Sequence, residues 1–263
     1  MRKALAVFLG IAILIMGGNL LAGNCGDVNS DGDINILDIV YLINYKYKSG
    51  AEPDCGTVTD IDGNVYQTVT IGTQVWMMEN LKVTHYRNGD PIPHVTDNGE
   101  WESLSEGACW EYDNEVHNVP THGRLYNWFA VNDSRNICPE GWHVPTDEEW
   151  KQLEMYLGMS QSEADATVWR GTDEGGKLKE AGYAHWFFPN TGATNESGFT
   201  ASANSNRYYD GTFINMRYSA HYWSLSASGS LSAWYRYLGY NNSEVGRNSH
   251  NKNCGFTVRC VKD

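Results

Sequence analysis

The chain has 263 residues, with 19 basic and 32 acidic side chains and a net charge of -13. An acidic balance with no cluster of lysine or arginine speaks against nucleic acid and against an anionic membrane surface as partners. The length suits one domain of moderate size plus a small module.

The first segment reads as a leader. Arg2 and Lys3 precede an apolar run from Ala4 to Met16, Gly17-Gly18-Asn19 breaks it, and Leu21-Ala22-Gly23 offers small residues for cleavage. That is the layout of a secretory signal peptide over residues 1–23. The run is shorter than the roughly 20 apolar residues a spanning helix needs. No later stretch is apolar enough either, so no membrane span is expected after signal removal. Asn24 stands between the small residues and Cys25, which speaks against a lipid anchor. The expected location is secreted, extracellular or at the cell surface. All six cysteines follow the leader, and an oxidising compartment makes them disulfide candidates.

The next unit carries the most specific motif. Asp27, Asn29 and Asp31 place side-chain oxygens at positions 1, 3 and 5 of a twelve-residue loop. Gly32 supplies the sharp turn, Asp33 a backbone carbonyl, Asn35 a water-mediated contact, and Asp38 closes the loop. Calcium, a hard cation, takes six to eight such oxygens, so Ca2+ is the expected cofactor. Ile36, Ile39, Val40, Ile43 and Tyr47 then share one helical face. Residues 25–55 resemble a type I dockerin repeat, an EF-hand-like module. That resemblance implies a cohesin-like partner, although only one repeat is present and Ile36-Leu37 replaces the polar pair often seen before the closing Asp. Cys25–Cys55 is the expected clasp of this unit.

Strand and turn signals follow. Val58 to Ile61 runs into Asp62-Gly63, a favoured hairpin pair. Asp60-Ile61-Asp62-Gly63-Asn64 looks like the start of another calcium loop, but its glycine comes too early, so the hairpin turn is the expectation. Val65 to Ile71 alternates in part, and Gly72-Thr73 turns the chain into Val75-Trp76-Met77. Leu125, Trp128, Phe129 and Asn132 fit helical spacing. Thr146-Asp147-Glu148-Glu149 is a capping box ahead of Trp150, Leu153 and Leu157. Shorter helices are expected at 162–168 and 177–181, and late strands at 233–240 and 256–261.

Several motifs recur in order: Val58 through Tyr66, Trp76-Met-Met-Glu-Asn-Leu81, Gly123-Arg-Leu-Tyr-Asn-Trp128, Cys138-Pro-Glu-Gly-Trp-His-Val-Pro-Thr146 and Gly255-Phe-Thr-Val-Arg-Cys260. On these, residues 57–263 resemble the Fibrobacter succinogenes major paralogous domain, which is similar to C-type-lectin-like folds. The resemblance implies an α+β fold with a C-type-lectin-like domain behind the small EF-hand-like dockerin module. It assigns no activity. Ser202-Ala203-Asn204-Ser205 and Tyr222-Trp223-Ser224-Leu225-Ser226 depart from the family pattern, and segment 204–251 is crowded with Tyr, Trp, Asn, Ser and His. Such residues suit recognition surfaces, because aromatics give rigid contact area at low entropy cost. Tyr208, Tyr209, Tyr222, Trp223, Tyr235 and Tyr240 are the candidate contacts to a glycan or cell-surface protein, while Trp76, Trp128, Trp142 and Trp150 are assigned to the core. Trp234, Arg236 and Leu238 share one strand face and Tyr235 and Tyr237 the other, so only one set is expected to point into the core.

A lectin's calcium–sugar triplet is missing from this region; Glu52-Pro53-Asp54 lies in the linker. Formylglycine-generating oxidases of lectin-like fold use a cysteine pair, which Cys254 and Cys260 resemble with a spacing one residue off. The favoured alternative is disulfides, Cys138–Cys260 and Cys109–Cys254, with other connectivities open. No histidine spacing, nucleophile elbow or phosphate loop selects a catalytic centre, and no enzyme is expected. A purely structural surface component is the remaining alternative.

Overall fold

The computed structural model describes residues 56–263. The leader (1–23), the calcium ligands Asp27, Asn29, Asp31, Asp33, Asn35 and Asp38, and the Cys25–Cys55 clasp lie outside the described residues. Thr57–Asp263 is one compact unit of α+β architecture.

The first sheet begins where the hairpin is expected. β1 (Thr57–Thr59) and β2 (Val65–Ile71) are antiparallel around Gly63, whose φ of 83° suits glycine. The Asp60 carboxylate fixes this turn by accepting from the Asp62 and Asn64 amides, the Asn64 side chain and the Tyr66 hydroxyl, the last at 2.6 Å. The acidic run is therefore occupied by protein partners, Asp60 by its own turn and Asp62 by Thr84 and His85. Gly72-Thr73 leads into β3 (Gln74–Met77). Two strands from later in the chain, β12 (Val261–Lys262) and β6 (Trp142–His143), complete the order β1-β2-β3-β12-β6. β4 (Cys109–Trp110) and β5 (Leu125–Tyr126) form a separate pair.

The second sheet is larger and antiparallel throughout. It comprises β7 (Val168–Arg170), β8 (Asn204–Arg207), β9 (Phe213–Ala227), β10 (Ser232–Gly239) and β11 (Val245–Asn251), in the order β7-β11-β10-β9-β8.

Among the described residues six short α-helices accompany the sheets: α1 (Asn98–Glu102), α2 (Val119–His122), α3 (Trp128–Val131), α4 (Asp147–Tyr156), α5 (Gln161–Asp165) and α6 (Glu174–Leu178). α4 starts at the expected capping box, with Thr146 and Glu149 bonded reciprocally. Its buried face carries Trp150 and Leu153, and also Asp147 and Glu154. Those two carboxylates meet three guanidiniums from the second sheet: Arg236 bonds both, Arg170 bonds Glu154, and Arg247 bonds Asp147, each ion pair at 2.6–2.7 Å. Removing any member would strand a buried charge, which is the costly way to break such a network. One core lies around this helix (Trp76, Trp150, Phe199, Tyr222), and another around Trp128, Trp142, Trp223 and Phe256. The four tryptophans assigned to the core are all buried.

Four elements differ from expectation, the first being the helix expected at 177–181, which lies earlier, at Glu174–Leu178. The periodic run at 125–132 splits, since Leu125 and Tyr126 pair with β4 before the helix begins at Trp128. The helix expected at 162–168 stops at Asp165, and Val168 enters a strand. The strand expected at 256–261 is a buried connection that bridges Tyr126 and Tyr222 on the way to β12. Both of its faces are covered: Arg259 is buried, stacks 4.5 Å from the Phe199 ring and donates to Asn80 and to the carbonyls of Met77, Phe199 and Thr200.

A stripe of aromatic rings as candidate functional site

The six aromatic candidates separate into three environments. Tyr222 and Trp223 are core residues, a correction to their expected role as ligand contacts. Tyr222 packs against Trp150 and Phe199, while Trp223 stacks on Phe256 at 4.4 Å and donates its indole N–H to the Tyr126 carbonyl. Tyr222 is buried beneath α4 and Trp223 against Phe256, so neither reaches solvent. Tyr240 is half-buried, edge-on to Tyr218 at 5.2 Å. Tyr208, Tyr209 and Tyr235 belong together with residues the sequence reading did not select.

In an antiparallel sheet directly paired residues point to the same side. The pairs Trp169–Gly246–Tyr237–His221 and Asn248–Tyr235–Trp223 therefore put all these side chains on one face, opposite α4. Their rings touch in sequence. Trp169 meets Tyr237 at 4.4 Å, Tyr237 meets Tyr235 at 5.5 Å, Tyr235 meets His250 at 6.0 Å, and His250 meets Tyr208 at 5.2 Å. Tyr209 ends the row, 5.8 Å beyond Tyr208. His221 lies stacked beside Tyr235 and Tyr237. Trp169, Tyr237, His221, His250 and Tyr208 are half-buried, Tyr209 and Asn248 are exposed, and Tyr235 forms the floor.

Local backbone choices make this row. At Gly246 an added Cβ would fall 2.1 Å from the Tyr237 ring, so only glycine lets Tyr237 lean across β11 to reach Trp169. Val168, immediately before Trp169, sits at φ 68°. A β-branched residue adopts that conformation at a cost of about 1–3 kcal/mol, which tertiary contacts must offset.

The polar groups along the row are neutral. Burial, with His250 nearby, depresses the His221 imidazole to about 3, and burial also lowers His250. His221 Nδ1 is buried with no protein partner. His250 Nδ1 accepts the Asn251 amide and faces the Cys254 sulfur at 3.0 Å, so the thiol supplies the hydrogen. Of the other histidines, His185 stands edge-on to His122, 5.7 Å away, and bonds Glu180, apart from this row. Among the described residues no three His, Cys, Asp or Glu side chains are grouped to hold a metal ion.

The cysteines are partly as expected. Cys138–Cys260 is a disulfide. Cys109 and Cys254 are buried free thiols, which corrects their expected bridge. Cys109 pairs with Tyr126, and Tyr126 in turn bridges Phe256, so β5 lies between Cys109 and the segment that carries Cys254. Two strand spacings, roughly 9–10 Å, exceed the Cα separation a disulfide tolerates. Burial pushes both thiols up to about 12. With Cys260 bonded to Cys138, the cysteine pair of the oxidase alternative does not present two thiols.

A second aromatic group went unread in the sequence. Tyr183, Phe187, Phe188 and Tyr218 are exposed, Phe188 by 76%, and Arg217 lies 4.9 Å over the Phe187 ring while donating to the Tyr183 and Trp186 carbonyls. No helix among the described residues is long and apolar enough to cross a membrane.

Residues 69–262 match the family described as Fibrobacter succinogenes major domain. No curated protein and no solved structure matches the chain.

Proposed function

We propose that this chain, which belongs to the Fibrobacter succinogenes major domain family, is a secreted recognition protein whose ring stripe holds an extracellular glycan. The observation that carries the reading is the row of touching rings from Trp169 to Tyr209 on one sheet face, half-open to solvent except at Tyr235, which is buried against Phe256. Sugar rings present apolar C–H faces and polar edges. Flat aromatic rings match the faces at small entropy cost, and Asn248, His221 and His250 stand beside them for the hydroxyls. The domain is read as C-type-lectin-like, with binding that needs no calcium–sugar triplet.

The calcium assignment belongs to the dockerin-like unit. Asp27, Asn29, Asp31, Asp33, Asn35 and Asp38 form an all-oxygen donor set of the kind a hard cation takes. That unit would fix the protein to a cohesin-like partner within a cell-surface or polysaccharide-degrading assembly.

Retention on immobilised glycans tests the reading. Trp169→Ala and Tyr237→Ala are expected to lose binding while melting near the parent temperature. Undiminished retention by both variants would end it. Calorimetric titration of the full chain with calcium tests the module separately, and uptake should disappear in Asp31→Ala.

A further inference from the structure

We infer that the ligand of the stripe is an uncharged oligosaccharide; the inference rests on the stripe being a glycan site. The second sheet segregates its charges. Arg170, Arg236 and Arg247 all sit on the face toward α4, where Asp147 and Glu154 occupy them. On the stripe face the register places Trp169, Gly246, Asn248, His250, Tyr235, Tyr237, His221 and Ser219, and no Lys, Arg, Asp or Glu among them. Both imidazoles are held neutral by burial. Asp210, exposed and next to Tyr209 in the chain, adds an anion at that end of the row. A uronate, sulfate or phosphate laid on this row would lose water and gain no cation, an uncompensated desolvation. A neutral pyranose loses little, because its hydroxyls find amide and imidazole partners and its faces find rings.

The row also sets a length. From Trp169 it passes to Tyr237 and Tyr235 on β10, returns to His250 on β11 and continues to Tyr208 and Tyr209, in steps of 4.4–6.0 Å between ring centres. Its solvent-reaching rings, Trp169, Tyr237, His250, Tyr208 and Tyr209, are more than one sugar covers.

An array carrying neutral oligosaccharides and acidic ones (uronate-bearing and sulfated) of matched length tests this with the full chain at low and high salt. The expected hits are neutral, with affinity unchanged within about twofold between roughly 0.05 and 0.5 M salt, since no ion pair is there to screen. Trp169→Ala and Tyr237→Ala should each weaken those hits about tenfold or more. Hits confined to acidic glycans, lost at high salt and dependent on Trp169, would overturn the neutral assignment while leaving the stripe as the site. Absence of any glycan hit, or hits indifferent to both variants, would remove the glycan reading itself and this inference with it.

Discussion

At the scale of single residues, glycine and cysteine carry the sharpest consequences. Gly246→Ala forces the Tyr237 ring away from the sheet, because the new Cβ would stand 2.1 Å from it. Overpacking of this kind costs about 1–3 kcal/mol, so a modest fall in melting temperature should accompany a loss of glycan binding. A variant that binds as the parent does would show that Tyr237 need not lie against β11. The two free thiols give an independent check. Cys109 and Cys254 are buried and pushed up to about 12, which leaves almost no thiolate near neutral pH. Alkylation followed by mass spectrometry should label neither in the native protein and both after unfolding. Recovery of a Cys109–Cys254 peptide would restore the bridge that the strand order denies.

At the scale of elements, α4 joins the chemistry of its cap to that of the sheet beneath it. Thr146 and Glu149 announce its start in the sequence, and Trp150 and Leu153 its apolar face. Asp147 and Glu154 give no such sign, because an acidic side chain at the start of a helix, like Asp147, or within it, like Glu154, is ordinarily a solvated one. Their partners Arg170, Arg236 and Arg247 come from three different strands. Burial alone would raise the Asp147 carboxyl, but Arg247 and Arg236 outweigh it and hold the group at about 2. Its folded pKa is thus below the unfolded value of 3.8, so its contribution is complete above pH 3.8 and is lost as pH falls toward 2. The shift corresponds to about 2 kcal/mol. Urea unfolding should show that loss between pH 4 and 2 in the parent. Asp147→Asn should be destabilised at neutral pH and lack that part of the acid dependence.

At the scale of the whole molecule, the C-terminal strand closes the fold. Val261 pairs with both Trp76 and His143, and the adjacent Cys260 is bonded to Cys138, a sequence separation of 122. Closing so long a loop restricts the unfolded chain, and loss of a native disulfide typically costs about 2–5 kcal/mol. The double variant Cys138→Ser, Cys260→Ser should unfold at correspondingly lower denaturant. A midpoint equal to that of the oxidised parent would show that β12 is held by its packing alone. The two faces of the second sheet divide the labour: one spends its charges on α4, the other leaves an uncharged row of rings toward solvent.

Local signals in the sequence determined the α+β class, the Asp62-Gly63 hairpin, the α4 cap and the core tryptophans, because each depends on neighbours within a few residues. The alternation in β10 correctly separated Tyr235 and Tyr237 from Arg236, yet it could not say which side was covered. Only the tertiary structure decided that. Both sides of β10 carry large side chains: Arg236 is buried toward α4, Tyr235 is buried on the other side against Phe256, and Tyr237 on that same side stays half-open. Trp169 joins the stripe from outside the aromatic-rich segment because β7 pairs with β11 about 75 residues later, a contact with no local signature. The Cys109–Cys254 pairing failed for the same reason: cysteine count is a property of the chain, whereas bridging distance is set by which strand lies between.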